Sequence, residues 1–95
     1  MKIIHKYEMI AIEPGSLTDK SFDWPEGARV VHVDSQSPGT VQLWVEIDNQ
    51  YQRDSPVLED RTFKVYGTGH HIEDRDFYVG TAIDEVFVWH VYERT

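Results

Sequence analysis

The clearest pattern in the chain is the alternation over residues 41–48. Val41, Leu43, Val45 and Ile47 share one side, and Gln42, Trp44, Glu46 and Asp48 share the other. Side chains of an extended strand point to opposite faces in turn, so this segment predicts a strand with one face in a core. Trp44 falls on its polar side. Residues 61–66 repeat the pattern with Phe63 and Val65 inward, and residues 21–24 repeat it with Phe22 and Trp24 on one side. Residues 28–34 are rich in β-branched side chains, which suit a pleated surface. Over residues 3–12, Ile4, Ile10 and Ile12 have one parity while Ile3, Tyr7 and Met9 have the other. That mixture predicts a strand with a bend or bulge along it. A final hairpin is predicted from residues 77–81 and 86–92. Its second strand is apolar on both sides, with Val86, Val88 and Tyr92 on one and Phe87, Trp89 and Val91 on the other. Such a strand is covered on both faces or meets another chain.

Turn chemistry separates these segments. Glu13-Pro14-Gly15-Ser16 has proline second and glycine third, as a type II turn requires, whereas Trp24-Pro25-Glu26-Gly27 suits a type I turn. Ser37-Pro38-Gly39-Thr40 folds residues 28–34 back onto residues 41–48. Residues 49–60 read as a polar loop around Pro56, where mobility is expected. No window of about ten residues carries a helical period. The expected fold class is therefore all-β: a small antiparallel β-sandwich or partly open barrel of about six to seven strands. Residues 1–95 are expected to form a single domain.

Composition narrows the partners. Of 95 residues, 40 % are hydrophobic and 13 % aromatic, enough for one modest core in which Trp, Tyr and Phe carry much of the buried area. There is no cysteine, so neither a disulfide nor a thiolate metal site forms, which suits a reducing cytosol. The opening residues lack the apolar run of a signal peptide, and nothing approaches the about 18 apolar residues of a membrane span. Seventeen acidic residues against nine basic ones give a net charge of -8. That field repels phosphate backbones and anionic lipid, so no direct nucleic-acid or membrane binding is expected, while a basic protein partner is compatible with it.

The densest candidate chemistry is Gly67-Thr68-Gly69-His70-His71. Successive amides around two glycines can form an anion-binding nest, and a histidine can add a donor. The stretch has no P-loop lysine and no following helix, and ordinary turn glycines are the plainer reading. His70, His71, Glu73, Asp74 and Asp76 offer metal-ligand types. Adjacent histidines on an extended segment point apart, however, and the spacing matches no zinc signature. No metal or other cofactor is expected. His32 and His90 lie among apolar neighbours, where a hydrogen-bonded structural histidine is commoner than a catalytic one. No serine or threonine sits in a nucleophile-elbow context. Trp44 and Tyr51, with Trp89, are the candidate anchors for a protein partner.

Several motifs recur together in a known family. They are Lys6-Tyr7-Glu8, Pro25-x-Gly27-Ala28 before a strand ending His32-Val33-Asp34, and the pair Leu43-Trp44. Then follow Arg61-Thr62-Phe63 with Tyr66-Gly67-Thr68-Gly69-His70, Tyr78-Val79-Gly80-Thr81, and Phe87-Val88-Trp89-His90-Val91-Tyr92-Glu93. In this order they resemble a family of small uncharacterised proteins encoded mainly by bacteriophages and prophages. The chain has His71 where many relatives have proline after the histidine. The resemblance covers nearly the whole chain and implies a phage accessory protein in the cytoplasm of an infected bacterium, with no catalytic residues to carry over. The expected function is a non-catalytic interaction module that binds or inhibits a host protein, counter-defence included. The alternative is a small-molecule or nucleotide binder using the 67–71 loop, and a metal-dependent hydrolase comes third. The two-sided apolar segment 86–92, or Trp44, is expected to build a homo-oligomer.

Overall fold

Two antiparallel sheets pack face to face in the computed structural model, which describes residues 1–10, 18–48 and 57–94. The strands are β1 (Lys2–Ile10), β2 (Thr18–Pro25), β3 (Arg29–Asp34), β4 (Thr40–Asp48), β5 (Leu58–Gly67), β6 (Asp76–Ile83) and β7 (Val88–Arg94). One sheet has three strands in the order β1-β4-β3, and the other has four in the order β2-β5-β7-β6. There is no helix among the described residues. The expected all-β architecture holds, as an open sandwich of seven strands and not a closed barrel. Residues 11–17, with the turn expected at 13–16, and residues 49–56 of the loop expected at 49–60 lie outside the described residues, whereas Leu58, Glu59 and Asp60 already belong to β5, paired with Pro25, Trp24 and Asp23.

Alternation places the core. Val41, Leu43, Val45 and Ile47 of β4 are all buried and meet Phe63, Val65, Trp89 and Val91 of the facing sheet. Met9 and Val33 extend this layer on the flanking strands, and Trp24 and Ala82 extend the opposite one. At one end the rings of Tyr7, Phe22, Trp24 and Phe63 lie with neighbouring centroids 5.0–6.1 Å apart. Full burial of a side chain of this size contributes roughly 1.5–3 kcal/mol, so the aromatic end is a principal source of stability.

Three local expectations change. β1 pairs with β4 without a register shift from Lys2↔Asp48 to Ile10↔Thr40. Ile3, Tyr7 and Met9 face the core, while Ile4 and Ile10 are 53 % and 60 % exposed. The edge strand thus leaves its surplus isoleucines in solvent and does not bend to bury them. The bulges lie elsewhere, between Val30 and His32 in β3 and between Tyr78 and Gly80 in β6. The turn expected at 24–27 falls one residue later: Ala28 N donates to Pro25 O at 3.1 Å, and Gly27 takes the third position with φ +85°. Trp24 stays in the strand opposite Glu59 because its ring is buried, which pushes the turn along. Finally, β7 begins at Val88 and lies between β5 and β6. The facing sheet of the same chain covers Trp89 and Val91, so the inner side of the two-sided segment needs no second copy.

Candidate functional site

The 67–71 loop turns tightly at the end of β5. His70 N donates to Gly67 O at 3.2 Å, and Gly69 holds φ +92° with open space where a Cβ would stand. Glycine is needed there for its backbone conformation and not for room. The amide of Gly67 donates to His70 Nδ1 at 3.0 Å, so this imidazole carries its proton on Nε2. An anion nest needs amides converging on the ligand, and here the first of them is turned onto a ring of its own loop. Thr68 Oγ1 lies 3.0 Å from His90 Nε2, and His90 Nδ1 lies 3.2 Å from Thr81 Oγ1, which also meets the Tyr78 hydroxyl. The loop is thereby clasped to β7 and β6. His70 is partly buried, and His71 and Thr68 are exposed.

The acidic stretch after the loop is neutralised from the outer face of the four-stranded sheet. Tyr66 donates to Asp76 Oδ2 at 2.6 Å, and Arg94 reaches Asp76 Oδ1 at 3.3 Å and Glu73 Oε2 at 2.8 Å. Lys64 lies 3.6 Å from Glu73 Oε1. The Asp76 side chain is fully buried. Burial opposes its ionisation, but the Tyr66 hydroxyl and the Arg94 guanidinium outweigh that and hold its pKa below the usual value. Burial and the neighbouring Asp76 carboxylate push the Tyr66 phenol up. Tyr66 is therefore a protonated donor and Asp76 a satisfied carboxylate, neither poised to abstract a proton. No group of three or more His, Asp or Glu among the described residues is arranged to hold a metal. Sequence reasoning missed this network, although Lys64, Tyr66, Tyr92 and Arg94 share one parity on adjacent strands.

The outer face of the three-stranded sheet is built around Trp44. Register places Lys6 on one side of it and His32 on the other. The His32 ring lies 5.3 Å from the Trp44 ring. The next row is Ile4, Glu46 and Arg29, and there Lys2 at 3.1 Å and Arg29 at 3.3 Å hold the Glu46 carboxylate and lower its pKa. On the opposite side the row is Glu8, Gln42 and Asp34. Gln42 is only 2 % exposed although it faces outward. Its amide donates to Glu8 at 2.8 Å and Thr40 at 2.9 Å, and it accepts from the amide of Gln36 at 2.7 Å. Lys6 in turn donates to Gln36 Oε1 at 2.8 Å. The indole thus stands, partly buried, in a frame of side chains that hold one another in place, and the open isoleucines Ile4 and Ile10 flank it along β1.

The other proposed anchors fall differently. Trp89 is 1 % exposed, with its indole N–H donating to Asp84 Oδ2 at 2.8 Å. Its inward parity on a central strand buries it, so it presents no surface to a partner, contrary to the expectation. Tyr51 lies outside the described residues. A second apolar surface follows β6 and the hairpin after it: Phe77, Tyr78, Ile83 and Val86 are 62 %, 59 %, 68 % and 72 % exposed.

No curated protein and no solved structure matches this chain. The profile of one family, described as a domain of unknown function (DUF7352), matches residues 1–95, and the chain belongs to that family.

Proposed function

We propose that this DUF7352 chain is a non-catalytic interaction protein that binds, and in binding inhibits, a host protein through the Trp44 face of its three-stranded sheet. The observation that carries the reading is the seating of Trp44. A large amphipathic ring, framed by groups already hydrogen-bonded to one another, loses little freedom on binding and can supply much of an interface energy. The 67–71 loop supports the same reading, because the Gly67 amide and His70 Nδ1 are engaged with each other and the Thr68 hydroxyl is engaged with His90 of β7. The resemblance of its motif order to that of phage-encoded proteins supports an accessory role in the cytoplasm of an infected bacterium. Immobilised protein and host lysate test it. A host protein retained by the parent and by a Gly69→Ala/His70→Ala/His71→Ala variant, but lost with Trp44→Ala, is the expected result. Loss with the loop variant and full retention with Trp44→Ala would move the function to the loop and favour a small-molecule or nucleotide ligand.

A further inference from the structure

The two sheets leave four edge strands, β1, β3, β2 and β6. An edge offers a row of unpaired N–H and C=O groups to any other strand, and exposed charges on it discourage that pairing. Three of the edges carry such charges. β1 exposes Lys2, Lys6 and Glu8, β2 exposes Asp19, Lys20 and Asp23, and β3 exposes Arg29 and Asp34. β6 exposes Phe77, Tyr78 and Ile83 instead, and its one charged side chain, Asp76, is buried against Tyr66 and Arg94. Among the described residues β6 pairs with β7 alone.

We infer that β6 is the self-association edge of this protein, joining a second copy antiparallel across a two-fold axis. Backbone groups along an edge select an extended strand as the occupant. The charge of -8 then selects among strands. Two copies repel wherever carboxylates meet, and β6 is the edge that exposes none along its own length. The strand is also chemically self-complementary. A two-fold through its middle sets the Phe77–Tyr78 end of one copy beside the Ile83 end of the other, with Gly80 and Thr81 between. The bulge between Tyr78 and Gly80 shortens the run of ladder bonds, and the large side chains at both ends add the contact that the shortened ladder lacks. This inference stands apart from the Trp44 reading, since the two surfaces are on different sheets.

Light scattering after size exclusion, at about 100 μM protein in low and moderate salt, tests it. The parent is expected at twice the 11.1 kDa chain mass, more completely at moderate salt, where the repulsion between acidic copies is screened. Phe77→Lys/Ile83→Lys is expected at the chain mass with an unchanged circular dichroism spectrum, and Trp44→Ala is expected to remain a dimer. Hydrogen exchange on the parent keeps the test independent of that variant's folding: β6 amides should slow as concentration rises, and β1 amides should not. A parent that is monomeric in both salts, a dimer untouched by the two lysines, or a dimer lost with Trp44→Ala would each overturn the inference.

Discussion

Asp84 accepts four N–H groups: Val86 N and Phe87 N at 2.7 Å each, Trp89 Nε1 at 2.8 Å and Gly39 N at 3.1 Å. One carboxylate thus closes the β6–β7 turn, orients a core tryptophan and ties that turn to the one between β3 and β4. The Phe87 amide first, then the Trp89 indole and the amides of Val86 and Gly39, hold its pKa far below the usual carboxylate range. The sign follows from linkage. A depressed folded pKa stabilises the fold fully above the unfolded value of about 4, and the stabilisation is lost as pH falls from there through the folded pKa. Asp84→Asn keeps the shape but sets an NH2 group against donors. We expect its Tm at pH 7 to lie about 5 °C or more below the parent's, and the gap measured by thermal melts to narrow towards pH 2. Equal gaps at both pH values would remove the carboxylate from this role. Gly80 makes a second single-residue prediction. A Cβ added there would stand 2.7 Å from Val33 Cγ2 and 2.9 Å from Val33 Cβ. Gly80→Ala should therefore cost about 1–3 kcal/mol in urea unfolding, and Val33→Ala in the same chain should recover part of it. Additive losses would mean the two sites do not touch. Neither role was visible in the sequence, because each depends on chain segments that only the fold brings together.

At the scale of elements, parity was the readable signal. β4 was legible because it has one apolar side, so that register and burial agree along Val41–Ile47, and in β5 Phe63 and Val65 face inward as the alternation predicts, although Lys64 and Tyr66 on its other side are buried too. β1 misled because isoleucine on the solvent side of an edge strand has the same pattern as a bulge. β7 was ambiguous for another reason. Large apolar residues on both sides are compatible with a central strand or with an interface, and only strand order separates them. Pairing also exposes a tension no pattern announces. Asp23 stands directly opposite Asp60 on β2 and β5, two pairs along from the hydrogen-bonded hydroxyls of Ser21 and Thr62. Like charges directly opposite destabilise a ladder, so Asp60→Lys should raise stability by roughly 0.2–1 kcal/mol in denaturant titrations at low salt, and by less at high salt. A loss at both ionic strengths would mean the pair serves the fold in some way other than through its charge.

For the whole molecule, the sequence marked a candidate surface residue without its surroundings. Trp44 was recognisable as an aromatic on a polar face, but its frame of Lys6, His32, Gln42 and Glu46 comes from three strands and needed the register. The 67–71 loop drew attention because glycines and histidines are crowded there. In the structure that crowding is a local clasp, with His70 on Gly67 and Thr68 on His90. What distinguishes the molecule is a sandwich whose core closes from within, with an aromatic set into one outer face and a neutral edge on the other sheet. The most direct test of the central claim is the affinity of any host protein retained in the lysate experiment for three chains, namely the parent, Trp44→Ala and the triple loop variant, measured side by side by calorimetry. Loss of a central aromatic anchor costs about 2 kcal/mol or more, so Trp44→Ala should bind about 30-fold more weakly or not at all, while the loop variant binds as the parent does. Binding by Trp44→Ala at parental affinity, with loss in the loop variant, would contradict it.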